Sequence, residues 1–195
     1  MGAAMTKWTI VMWSAALQIA KEAGLPQDLW PGEDVAPEDF FRSLREGDDP
    51  MAAISYAACA LPKLEAIEWA LASLPEVPED DPDYSQKMLL RDSARRWVDE
   101  PDDENRRAVF ALAENSNNEW PETLIGLAIF FSGGSIAPED NAPVAVPSDV
   151  CMKLIGGALH SIVAAKAIED PGFATRALDL ADKFAVRGRE ALTAT

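Results

Sequence analysis

Few side chains here are suited to covalent chemistry: the 195 residues include one His, two Cys and two Tyr. His160 lies in an apolar stretch between Leu159 and Ile162, with Ser161 beside it. A general base must meet its nucleophile within hydrogen-bond reach, and adjacent helical positions point about 100° apart. Cys151 lies nine positions upstream of His160, too far along a helix for local contact. A packed imidazole is therefore the expectation, and Cys59 and Cys151 read as small buried hydrophobes in a reducing compartment. One His and two isolated Cys cannot supply the four close ligands of a structural zinc site. The acidic run Glu79-Asp80-Asp81-Pro82-Asp83 lacks the alternating ligands and glycine turn of a calcium loop, and reads as a solvated linker. Glu65 and Glu68 share a helix face, a spacing common on exposed helices. Neither catalytic residues, nor a metal, nor a cofactor is expected.

The elements that would position these groups are written plainly. Asp49-Pro50, Asp170-Pro171 and Ser148-Asp149 read as helix starts, because a short polar side chain caps free amides and proline at the first turn loses no hydrogen bond. The pattern predicts helices over about 9–23, 37–47, 50–60, 62–74, 84–98, 102–113, 121–131, 149–168 and 171–191. Gly24 and Pro26 end the first, and Phe40, Phe41 and Leu44 form one face of the second. Leu64, Ile67, Leu71 and Leu74 form a packing seam, and Leu90, Ala94, Trp97 and Val98 another. Asp92 and Arg96, four apart, suggest an exposed pair worth about 0.3 kcal/mol. Residues 121–131 are apolar almost all round, as in a helix covered on most sides. Between helices, 75–83 is a proline- and acid-rich linker and 132–147 a long loop. No stretch alternates at period two. The expected fold is all-α: a compact, irregular bundle of about eight or nine helices in a single domain 1–195, with 1–49 a candidate semi-independent extension.

Composition narrows the partners. The formal charge is −16, from 17 basic and 33 acidic residues. Such a field repels nucleic-acid phosphates and anionic lipid, and would attract a basic protein surface. The apolar run from Trp8 to Ala20 is shorter than the roughly 20 residues of a membrane span and lacks a charged leader region, so it reads as a first core helix. Met5 is a candidate for the native start, in which case the four residues before it are an addition. Cytoplasmic location and no membrane insertion are expected.

Several features bear on recognition. Arg95-Arg96 and Arg106-Arg107 face local acids and read as ion pairs. Ser132-Gly133-Gly134-Ser135 follows a helix, whereas a phosphate cradle leads into one, so the glycines read as a C-cap. Trp69 and Trp97 fit core stripes, while Trp30 and Trp120 precede prolines at loop edges, where one could anchor a partner.

Leu61-Pro62 with Glu65-Ala66 and Trp69, then Glu104-Asn105-Arg106-Arg107-Ala108, Ala113-Glu114 and Phe130-Phe131-Ser132-Gly133-Gly134-Ser135-Ile136-Ala137-Pro138 with Pro143 and Pro147, resemble an uncharacterised all-helical bacterial family. The resemblance covers about residues 50–190. That family is associated with accessory genes of type VI secretion clusters. The resemblance implies a non-enzymatic adaptor or chaperone-like accessory whose partner is a secretion component or an effector; it carries no catalytic residues. An immunity protein masking a toxic effector's basic site, or a purely structural protein, are the alternatives. The candidate interaction residues are Trp120, Phe131, Ser132, Gly133, Gly134 and Ser135, although the same loop could simply seal the core.

Overall fold

The computed structural model describes residues 7–47, 49–138, 140–147 and 149–193. Met5, the candidate start, and Ser148, read as part of a helix start, lie outside the described residues. Nine α-helices fill the described chain: α1 (Ala16–Glu22), α2 (Pro37–Glu46), α3 (Pro50–Ala60), α4 (Lys63–Ala72), α5 (Tyr84–Asp99), α6 (Asp103–Ala113), α7 (Pro121–Phe130), α8 (Val150–Lys166) and α9 (Phe173–Arg187). Short 3-10 turns occupy Gln27–Leu29 and Gly188–Leu192. No strand occurs among the described residues, and the fold is an all-α bundle.

Two helices share the centre. As its sequence predicts, α7 is covered on most sides, packing against α4, α5, α6 and α8. Its Gly126 allows α6 to come close: a Cβ there would stand 3.0 Å from the Ala113 methyl and 3.2 Å from Val109. The second central helix, α3, packs between α2, α8 and α9 and buries Ala52, Ala53, Ile54 and all of Tyr56–Ala60. Alanines make this possible, since small side chains bring helix axes together without loss of close packing. Asp49 caps α3 by accepting from the Met51 amide at 2.9 Å, and Asp102 caps α6 by accepting from Asn105 at 2.8 Å. The Asp49 cap agrees with the sequence reading, and α6 opens next to Asp102 as its pattern predicts.

The first and last helices do not. Residues 9–15 were expected to be helical, yet α1 starts only at Ala16. The Thr9 and Ile10 amides both donate to the Ala185 carbonyl of α9, and the Thr9 hydroxyl donates to the Val186 carbonyl. The Thr9-Ile10-Val11 run is β-branched, which weakens helix formation, and these tertiary bonds replace the helical ones. Trp8 completes the strap: it packs 5.1 Å from Phe41 and 6.5 Å from Tyr56, measured between ring centres, and its indole donates to Asp182 at 2.8 Å. The buried Trp8 thus joins the same hydrophobic core as α2, α3 and α9.

At the other end, α9 starts at Phe173 after an uncapped Gly172, so Pro171 sits in the preceding turn and not in the first helical turn. Asp170 instead pairs with Arg176 and gives its carbonyl to the Phe173 amide. The expected Asp92–Arg96 pair is also replaced: Asp92 reaches Arg95 at 3.3 Å, one residue closer in sequence.

Candidate functional site

His160 projects from α8 toward α3 and is half-buried. Its Nε2 stands 3.0 Å from the Met51 carbonyl oxygen and 3.2 Å from the Ser55 hydroxyl. A carbonyl can only accept, so Nε2 carries the proton and donates it. That tautomer has no lone pair at Nε2 with which to take a proton from Ser55. The imidazole therefore ties α8 to α3, as the packed reading expected.

The thiols are equally committed. Burial pushes both Cys59 and Cys151 up to about 12, so each is a neutral thiol near pH 7. The Cys59 carbonyl also receives the Trp13 indole N–H at 2.9 Å. Glu68, one of the paired carboxylates, accepts from Arg189 at 2.8 Å. No group of three or more His, Cys, Asp or Glu among the described residues is placed to hold a metal.

The expected interaction residues separate into two places. Trp120 is the N-cap of α7 and Phe131 its C-cap, so a ten-residue helix of about 15 Å lies between them. The Trp120 indole is half-buried beneath Lys87, whose ammonium sits 5.1 Å above the ring and pairs with Asp81 at 2.7 Å. The acidic linker is thus partly a ligand for that lysine, not only a solvated spacer. Phe131, Ser132, Gly133, Gly134 and Ser135 stay together at the other end of α7.

Three cations hold that loop from beneath. Lys63 donates to the Ser132 carbonyl at 2.7 Å. Arg106, buried on α6, donates to the Phe130 carbonyl at 2.7 Å and the Ser135 carbonyl at 2.9 Å, with its guanidinium 4.8 Å over the Phe130 ring. Arg107 reaches the Ser135 and Ala137 carbonyls at 3.2 and 3.0 Å. Asp103 carries the counter-charge, and its hydrogen bonds from Arg107 and Arg106 hold its carboxyl below the usual range. Cations here satisfy the free carbonyls of a helix C-terminus and complement its dipole.

The loop closes on itself as well. The Ser135 hydroxyl accepts from the Ala137 and Val144 amides, and the Ile136 amide donates to the Val144 carbonyl. Gly134 has φ +71, and a Cβ there would meet the Arg106 guanidinium at 3.1 Å. Gly133 has open space around it. The inner face of the loop is bonded to the core, while Gly133, Gly134, Pro138 and residues 140–145 are exposed.

A model for a family of unknown function, DUF6931, matches residues 40–185. The chain belongs to this family. The matched span runs from α2 to α9 and takes in Lys63, Arg106, Arg107 and the whole loop, while the strap lies before it. Neither a curated protein nor a solved structure matches the chain.

Two buried charges escaped the sequence reading. Arg91 on α5 and Glu122 on α7 pair at 2.5 Å with side chains only 7% and 3% exposed, and Arg91 also donates to the Pro75 carbonyl at 2.8 Å. The Arg106 role was missed too, since it was assigned only to local ion pairing. A common signal was present: Arg91 shares the face of Ala94 and Val98, and Arg106 that of Val109 and Ala113. A charge inside an apolar stripe must find a partner on another element, because an unpaired buried charge is costly.

Proposed function

We propose that this chain is a non-enzymatic adaptor or chaperone-like accessory of a type VI secretion cluster, acting in a bacterial cytoplasm and presenting the outer face of the 132–147 loop to a protein partner. The observation that carries the reading is His160. The one imidazole of the chain spends its Nε2 proton on a backbone carbonyl, and both thiols are buried and neutral. The side chains best suited to nucleophilic or acid–base chemistry are spent on holding helices together. The loop supports the partner role: its backbone is preorganised by three cations, which lowers the ordering cost of binding, while its glycines and tip remain accessible. The resemblance of the 104–108 and 130–138 segments supplies the secretion link.

Affinity purification from native cells, read by mass spectrometry, tests it. Recovery of a secretion-apparatus component or effector is expected, with the yield reduced by a Gly133→Asp change at the exposed loop. Recovery of metabolic enzymes alone would overturn the reading.

The charge of −16 and the exposed run Glu100 to Glu104 favour an immunity role as the second reading, in which acid covers a basic toxin site. Co-expression with a toxin encoded next to it separates the two, because only an inhibitor restores growth.

A further inference from the structure

Beyond the adaptor reading, and independent of it, we propose that the turn between α8 and α9 is a self-association surface on which two copies of this chain form a weak symmetric dimer. Two features meet there. Ile168 stands 94% exposed at the head of the turn. Beside it lies a cleft of about 290 Å³ between the end of α4 and the start of α9, floored by Leu74, Phe173 and Leu180 and rimmed by Lys166, Asp170 and Arg176. The knob is two residues from each of two rim positions, so knob and hole belong to one patch. A patch holding both halves of a contact is self-complementary, and a two-fold axis lets each copy's knob enter the other's hole. The cleft is ample for one isoleucine side chain.

Local charge admits a second copy at this turn. Two chains at −16 repel one another across most of their surfaces. At this turn the charges cancel: Lys166 pairs with Glu169 at 3.0 Å and Arg176 with Asp170. A like-charged partner can approach where acid is locally neutralised, and the three rim groups together with Glu169 can exchange partners across the axis without adding net charge. A contact built on two isoleucines and a few apolar neighbours is small, below about 1,200 Å², the size of transient interfaces. Salt should therefore strengthen it, by screening the repulsion between the two bodies while leaving the apolar contact intact.

Sedimentation velocity of the full chain from about 1 to about 500 µM covers the affinity range of such interfaces. The expected result is a reversible monomer–dimer equilibrium that tightens between low and moderate salt. Ile168→Asp, at a side chain free of the core, should leave the thermal melt unchanged and weaken dimerisation at least about tenfold. Ala72→Arg, at the exposed edge of the cleft, should do the same. A monomer at every concentration overturns the proposal. So does an Ile168→Asp variant that dimerises like the parent, or an Ala72→Arg variant that does so while Ile168→Asp does not.

Discussion

Two irregular segments of this bundle, the strap over 8–15 and the loop over 132–147, solve the same problem by opposite means. Both run without helical hydrogen bonds across a packed core, where an unpaired backbone group costs about 1–3 kcal/mol. The strap is held by apolar mass: Trp8 sinks among Phe41 and Tyr56, and the backbone then finds the Ala185 carbonyl. The loop is held by charge: Lys63, Arg106 and Arg107 donate to its carbonyls, and little of its own surface is buried. An aromatic anchor is insensitive to pH and salt and leaves its segment flush with the core. A cationic anchor fixes the backbone while leaving the side chains and tip free, which suits a surface meant to be touched.

The largest break in this comparison comes from Trp8→Ala. Emptying a buried indole site should cost about 3–5 kcal/mol of global stability, read as a fall in the urea midpoint. A loss under 1 kcal/mol would mean the strap is not part of the cooperative core.

Arg106→Met keeps much of the side-chain volume but orphans the Phe130 carbonyl and leaves the Ser135 carbonyl only its longer bond from Arg107. It should cost about 2–4 kcal/mol, against about 1 kcal/mol for Arg107→Met, which is more exposed. Amide exchange should rise chiefly over 132–147; a uniform rise would show that loop and core are not separable.

The two neighbouring glycines sharpen the charge side. Gly134→Ala forces a side chain into the left-handed region and against Arg106, costing about 1–2 kcal/mol, while Gly133→Ala stays within about 0.5 kcal/mol of the parent. Equal effects would sink the account of the loop.

The strap can be probed without unfolding. Cys59 and Cys151 are both pushed up to about 12 by burial, and both should resist a thiol reagent at pH 8. Trp13→Ala removes the indole bonded to the Cys59 carbonyl and should speed labelling of Cys59 alone. Equal acceleration at both thiols would indicate general loosening.

The smallest effect is electrostatic. Asp103 is held below its ordinary value of 3.8, so its contribution is complete above that value and fades as pH falls through its lower folded value. The carboxylate is about half exposed and solvent screens it, so the effect is slight. The denaturation-midpoint gap between the parent and Asp103→Asn should be flat from pH 7 to 5 and close below about 3.8. A gap that already closes by pH 6 would point to another group.

Legibility followed locality. The apolar faces of α2 and α5, the cap at Asp49 and the opening of α6 beside Asp102 all depend on residues within a few positions, and each is where the pattern put it. Trp8 to Ala15 was misjudged because its partners on α9 are more than 170 residues away, beyond any window of periodicity. The candidate loop was visible as a glycine pair after a greasy helix. Its anchoring was not, although an arginine inside the Val109–Ala113 stripe announced that a partner must exist.

Composition and period alone thus determined that this chain is an acidic all-α bundle, because helix formation and capping are decided by neighbours a turn apart. Only the folded molecule decided that α3 shares the centre with α7, that Trp8, Thr9 and Ile10 bond to α9, and that Arg106 grips the Ser135 carbonyl. Those outcomes depend on which distant donors and acceptors packing brings within hydrogen-bond reach, and no local pattern encodes that.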